Sequence, residues 1–256
     1  MFTKIAIIGT GNIGTWLFKT LQDKKDLLVI SISGRKIETM PQDFDLYIFA
    51  LKDDVYEDVL QQIPFQMPCA VHTSGSLSQN ILAHYAEKFG VVYPYQTITK
   101  KEERRREKGF ISRWLQPTVE NVPICIEGSD ADFEQMLFQW ANTIFNVVKK
   151  INEKQRFAMH LAAVFANNFT NAMYDIAYQI FKQNDLDWSL VFPLLEHTLE
   201  KAKQNEPKTV QTGPAVRGDV SIMKKHCNAL NDDDLKILYK LVSKIIYLKS
   251  IGQFIG

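Results

Sequence analysis

Three features of this 256-residue sequence predict an α/β fold, a doubly wound parallel sheet of Rossmann type followed by an all-helical C-terminal domain. The first is a β-branched run, Lys4 to Ile8, that leads into Gly9-Thr10-Gly11-Asn12-Ile13-Gly14 and then into a helical pattern through Trp16, Leu17, Thr20 and Leu21. The second is the alternation of short apolar runs with helical stretches up to Ile151, the rhythm of a parallel sheet covered on both faces. The third is a change of composition after Ile151, where a long helix rich in Ala, Phe and Met begins. The expected domains are 1–151, which binds a dinucleotide, and 152–256, a helical domain for substrate and dimerisation.

The first element carries most of the function. Strand, G-x-G-x-x-G and helix in immediate succession form a dinucleotide-binding fingerprint. Gly9 permits the tight turn, Gly11 lets the backbone approach a pyrophosphate, and Gly14 lets the helix pack closely on the strand. The free N–H groups of Asn12, Ile13 and Gly14 then face the anion, aided by the helix dipole. Leu27 to Ser33 is the second strand, closed by Gly34, Arg35 and Lys36. An NAD-binding fold places a carboxylate near here for the ribose hydroxyls. Ser33, Arg35 and Lys36 suit a 2′-phosphate instead, so the expected cofactor is NADP(H).

Asp45 to Ala50 is the third strand, and Lys52-Asp53-Asp54 opens a helix through Val55, Val59 and Leu60. Pro64 and Pro68 bracket a loop. Cys69 to His72 and Gly90 to Tyr93 are the fourth and fifth strands. Ligands of such sheets lie beyond the carboxyl ends of the strands. Ala50 and Leu51, the Thr73-Ser74-Gly75 turn and the Tyr93–Thr97 segment are therefore expected around one cleft, with Thr73 and Ser74 near the nicotinamide or substrate. Lys100 to Lys108 is densely charged and reads as a solvated helix or loop, held down by Trp114 and Leu115. Val122 to Glu127 is the sixth strand, Asp130 caps a helix reaching Phe145, and Asn146 to Ile151 is a last short strand.

Asn152 to Gln155 resembles a capping box, and the helix it starts runs without a breaker to Lys182. Apolar residues lie on most of its sides, which requires more cover than the shorter helices behind it supply, and a homodimer through this domain follows. Asp187 starts a helix through Leu199 that Pro193 kinks; Glu206 to Val216 is a loop; Asp219 caps the next helix; and Asn231 with Asp234 caps the last, which ends near Ser250.

On the long helix, Arg156, His160, Asn167 and Asn171 share a stripe, with Asn168 beside it. Buried amides and imidazoles need partners. His160 is the candidate acid/base because imidazole exchanges protons near neutrality; bonding between helices is the alternative use. Arg217, in the loop from Gln211 to Asp219, is the candidate grip for a carboxylate or phosphate, or else an ion-pair partner of a nearby Asp. His72 reads as a polar strand terminus. No metal-ligand spacing appears.

Composition bounds the rest. A net charge of +1 gives no case for nucleic acid or an anionic membrane surface, and no apolar run approaches a membrane span. Three scattered cysteines read as reduced thiols, and with no signal-like segment before Lys4 the expected location is the cytoplasm.

Gly9–Gly14, Phe49–Asp54, Val71–Gly75, Tyr93–Thr97, His160–Asn168 and above all Thr212–Asp219 resemble a bacterial group spanning nearly this whole chain. Its members join a Rossmann-like domain to a C-terminal helical domain of unknown function and are labelled NADP oxidoreductases. More distantly, the chain is similar to ketopantoate reductase, pyrroline-5-carboxylate reductase, 6-phosphogluconate dehydrogenase and deazaflavin-dependent NADP reductases. The resemblance implies a nicotinamide cofactor and a helical domain that commonly dimerises. Hydroxyacid-type members of the wider superfamily carry a Lys followed four residues later by Asn; here His160 is followed by Val164. The expected activity is hydride transfer to or from a small polar, anionic metabolite. A catalytically degenerate nucleotide sensor or partner-binding protein, and a deazaflavin-linked reductase, are the alternatives.

Overall fold

The computed structural model describes residues 2–99 and 121–253, and the charged 100–108 segment with Trp114 and Leu115 lies outside them. Seven strands form one sheet: β1 (Lys4–Ile8), β2 (Leu28–Ile32), β3 (Leu46–Phe49), β4 (Met67–His72), β5 (Ala86–Pro94), β6 (Ile124–Gly128) and β7 (Val148–Lys150). Their order is β2-β1-β3-β4-β5-β6-β7. The first five are parallel, in the doubly wound arrangement expected. β6 pairs antiparallel with β5, and β7 parallel with β6, so the last two run opposite to the rest.

Alternation along the strands builds a core on each face. Ile5, Ile7, Leu46, Ile48, Val71, Val92, Ile124 and Ile126 meet α1 (Asn12–Gln22) through Leu17 and Leu21, and α3 (Ala131–Asn142) through Phe133, Leu137 and Trp140. Ala6, Ile8, Tyr47, Phe49 and Ala70 meet Tyr56, Val59 and Leu60 of α2 (Tyr56–Leu60) on the other side. With both faces covered, the central strands read as continuous apolar runs. Pro68 lies inside β4, one residue past its start, rather than bracketing a loop. Asp130 caps α3 as expected, its carboxylate accepting the Phe133 N–H at 2.8 Å, although the helix stops at Asn142.

The capping box is present: Asn152 accepts from the Gln155 N–H at 2.9 Å, and Gln155 accepts from the Asn152 N–H at 3.0 Å. It opens α4 (Glu153–Ala163), which continues through a π-helical turn, Val164–Phe169, into α5 (Thr170–Gln183). The chain forms two compact units, Met1–Asn171 and Ala172–Gly256.

In the second unit, Asp187 caps a short 3₁₀ turn by accepting the Ser189 N–H, and α6 (Phe192–Gln204) follows. Pro193 sits in the first turn of α6, where its missing N–H has no helical partner to lose, so it starts the helix and does not kink it. The expected loop contains a short helix, α7 (Pro214–Arg217), closed by Gly218 at φ +69°. Asp219 precedes α8 (Val220–Ala229) without capping it, because its carboxylate is paired with Arg217. The cap of α9 (Asp233–Ser250) is Asp232, not Asn231 with Asp234; it accepts the Leu235 N–H at 2.9 Å. No described helix is long and apolar enough to cross a membrane.

Candidate functional site

The site is laid out by the register of the sheet, in which Ile8, Phe49, His72 and Val91 stand side by side on β1, β3, β4 and β5. The segments just beyond them share one edge. At its β1 end, Gly9 adopts φ +124° and donates its N–H to the Ile32 carbonyl at 2.8 Å. A Cβ on Gly9 would lie 2.2 Å from the Ala50 carbonyl oxygen, and one on Gly14 only 1.9 Å from the Gly9 oxygen. Both glycines are fixed by close backbone approach. Gly11 differs: nothing lies within 4 Å of where its Cβ would be. It stands in the cap position of α1, which has no side-chain cap and no acidic residue in its first turn. Thr10 and Asn12 are exposed, and Ile13 is half-buried. The backbone N–H groups at Asn12, Ile13 and Gly14 thus start a helix that faces open space. That is a fit for a pyrophosphate.

Beside this loop, Ser33 closes a tight turn by accepting the Lys36 N–H on its carbonyl at 2.9 Å, and its hydroxyl accepts from the Arg35 N–H at 3.4 Å. The Arg35 and Lys36 side chains are exposed. Ala50 hydrogen-bonds Ile8, and the Leu51 side chain packs across Gly34, joining the ends of β2 and β3.

The turn after β4 is tied from within. Thr73 donates its N–H and its hydroxyl to the Phe49 carbonyl, at 3.1 and 3.4 Å. The Ser74 hydroxyl accepts from the N–H groups of Ser76 and Leu77, both at 3.1 Å, and Ser76 donates to the Asp53 carboxylate. His72 is fully buried; its Nδ1 accepts the Ser74 N–H at 3.2 Å and its Nε2 lies 3.3 Å from the Ser78 carbonyl. Burial, with the Arg156 charge behind it, lowers its pKa to about 4, so it is a neutral structural ring.

Arg156, on the first turn of α4, fastens that helix to this turn. It donates to the carbonyls of Ser74 and Leu77, at 3.2 and 2.7 Å, and pairs with Glu127 of β6 at 3.2 Å. Burial raises the Glu127 carboxyl pKa against the pull of Arg156. One turn further, His160 is half-buried, and a Cβ on Gly75 would lie 2.6 Å from its Nδ1, so the ring rests on the Gly75 backbone. The same nitrogen lies 3.2 Å from the Tyr93 hydroxyl at the end of β5. Burial pushes the Tyr93 phenol up to about 12. In the π turn, the Asn167 amide donates to the Thr97 hydroxyl at 2.6 Å, with Asn168 next to it. Such turns recur at functional sites. Arg156, His160 and Asn167 therefore meet the segments that follow β4 and β5, as their shared stripe implies. Asn171 is exposed.

Sequence reading did not single out Tyr93 or Glu127. A lone carboxylate closing an otherwise apolar strand was the signal for Glu127; Tyr93 touches His160 across 67 residues, which no local pattern marks. Arg217 belongs to the second unit. Its Nε and guanidinium donate to Asp219 at 3.1 and 3.0 Å, and its side chain is exposed.

Residues 122–246 match a family described as a domain of unknown function, DUF2520. The chain is similar to the crystal structure of a candidate NADP oxidoreductase from Bacteroides fragilis, at 31% identity and TM-score 0.82, over 96% of this chain and 98% of that one. A protein from Thermotoga maritima shares 18% identity at TM-score 0.67, over 97% and 99% of the two chains. Pyrroline carboxylate reductase from Plasmodium falciparum, crystallised with NADP bound, shares 14% at TM-score 0.53, over 98% of each. The last two establish likeness of fold alone. No curated protein matches the chain.

Proposed function

The chain belongs to the family of NADP oxidoreductases that join a Rossmann domain to a C-terminal helical domain, and from that membership we propose that it transfers a hydride between NADP(H) and a small polar, anionic carbonyl or imine metabolite. The observation that carries this reading is the shared edge: an uncapped helix N-terminus behind Gly11 at one end and the half-buried His160 ring at the other. The nicotinamide supplies the hydride. Gly9 to Gly14 hold the pyrophosphate through backbone N–H groups, with Ala50 and Leu51 beside them. Ser33, Arg35 and Lys36 receive the 2′-phosphate. Thr73, Ser74 and Gly75 border the nicotinamide through their backbone, since the Thr73 hydroxyl is engaged by the Phe49 carbonyl and the Ser74 hydroxyl by the N–H of Ser76. His160 exchanges a proton with the substrate, and Asn167 and Asn168 hold its polar atoms. Arg217, exposed and paired with Asp219 within the second unit, has the charge to hold an anionic group.

Residues 152–256 serve as the substrate and dimerisation domain. Of the described residues in the second unit, Val191 and Ala215 alone are buried, while Leu190, Leu194, Ile237 and Leu241 are more than half exposed. A second copy of this chain is the cover such helices need.

NADPH oxidation over a panel of small keto and imino acids tests the activity. His160→Gln is expected to lower turnover by about 10²–10⁴ with the melting temperature unchanged, as for loss of an acid/base group. A protein that binds NADPH yet turns over none of the panel is the nucleotide sensor instead.

A further inference from the structure

The His160 ring has two nitrogens, and only one of them can meet substrate. Nδ1 faces the Tyr93 hydroxyl at 3.2 Å and the Gly75 backbone, so Nε2 is the nitrogen left for exchange. Which nitrogen carries the proton is set by the hydrogen bond the other makes. A phenol is a much stronger acid than a neutral imidazole N–H. In a neutral pair the phenol therefore donates and the ring nitrogen accepts. We propose that Tyr93 and His160 form a neutral proton relay, in which the Tyr93 hydroxyl donates to Nδ1 of His160 and thereby presents Nε2–H to the substrate. The relay rests on the hydride-transfer reading above and adds to it the source of the proton.

As the substrate carbon takes the hydride, the electron pair of its C=O or C=N bond moves onto the oxygen or nitrogen. That atom takes the proton from Nε2, and Nδ1 takes the proton of the Tyr93 hydroxyl. The imidazole is neutral before and after the step and changes tautomer. After product leaves, Nδ1 returns its proton to the Tyr93 phenolate and Nε2 takes one from water, which restores the starting pair. An alkoxide or amide anion is a far stronger base than a phenolate, so the relay runs downhill even with this phenol pushed up to about 12. The titratable groups around Tyr93 are Tyr95 beside it, Cys125 opposite it on β6, and Arg156 and His160 on α4; the Arg156 cation favours the transient phenolate.

Nitrogen NMR of the full-length protein labelled at histidine, with and without NADPH, reads the resting state directly. The relay predicts an Nε2–H tautomer with Nδ1 as a hydrogen-bonded acceptor. Tyr93→Phe should lose that bond and admit a second tautomer, whereas Tyr95→Phe should leave the spectrum unchanged. An Nδ1–H tautomer in the wild type, or a Tyr93→Phe spectrum identical to wild type, overturns the relay. With any substrate the panel yields, Tyr93→Phe should lower turnover about 10²-fold while Tyr95→Phe leaves it near the wild-type value. Turnover by Tyr93→Phe equal to that of the wild type would overturn the relay. Wild-type turnover that His160→Gln leaves intact would overturn the hydride-transfer site itself, a different result from a wrong tautomer.

Discussion

The two compact units differ in how they are held. In the first, strands β1 and β3 are almost wholly buried, with packed cores on both faces of the sheet. In the second, helices α6, α8 and α9 bury no residue completely, and local contacts such as Trp188 edge-on to Tyr178 and Phe181, at 5.4 Å each, take the place of a core. A half-open groove of about 570 Å³ between α8 and α9, walled by Met223, Tyr239 and Tyr247, adds to the uncovered apolar surface. The first unit is internally complete and fixes side chains to within a hydrogen bond. The second leaves large apolar side chains such as Leu190, Leu194 and Ile237 exposed, the surface on which the proposed homodimer rests.

The largest test of that contrast is Arg156, fully buried in the first unit. Arg156→Met leaves the Glu127 carboxylate and the carbonyls of Ser74 and Leu77 without their donor. A loss of about 3–5 kcal/mol in urea unfolding is expected, with much of it recovered when Glu127→Leu is added. No recovery in the double variant would show that the two residues are not coupled.

His72 gives a test by pH. Its pKa is about 4 in the fold, against an ordinary 6.5. Between these values the unfolded chain binds a proton that the folded chain does not. The stabilisation is complete above pH 6.5 and is lost as pH falls towards 4, by up to about 3 kcal/mol. His72→Gln should flatten the slope of stability against pH in this window; equal slopes in the two proteins would remove His72 as the cause.

The smaller effect concerns the second unit. Ile237 and Leu241 stand at i and i+4 on α9, 62% and 54% exposed. Replacing both with Asp should dissociate the proposed homodimer at micromolar concentration, at about 1–2 kcal/mol per residue. Light scattering that finds the wild type monomeric would contradict that proposal.

Much of the first unit was legible because its signals are local. The glycine loop, the Asn152–Gln155 capping box and the Asp130 cap each lie within a few residues of the element they define. The reversal of β6 and β7 was not legible, since an apolar run reads the same in either direction. Nor was the π turn, which changes the helical register without a breaker residue between Val164 and Phe169. Asp219 reads as a cap from its position and is diverted by Arg217, two residues away. The pairing of Tyr93 with His160 and the contact of Gly75 with the same ring depend on the tertiary fold alone.

Calorimetric titration of NADPH and NADH into the wild type and Arg35→Ala tests the cofactor assignment most directly. Arg35 is exposed next to the turn at Ser33, with no carboxylate in the 33–36 segment to favour an unphosphorylated ribose. NADPH should bind more tightly than NADH. Arg35→Ala should weaken NADPH by roughly 1–3 kcal/mol, the range for a charge-assisted hydrogen bond, while leaving NADH almost unchanged. Equal or tighter binding of NADH by the wild type would contradict the assignment of this site to NADP(H).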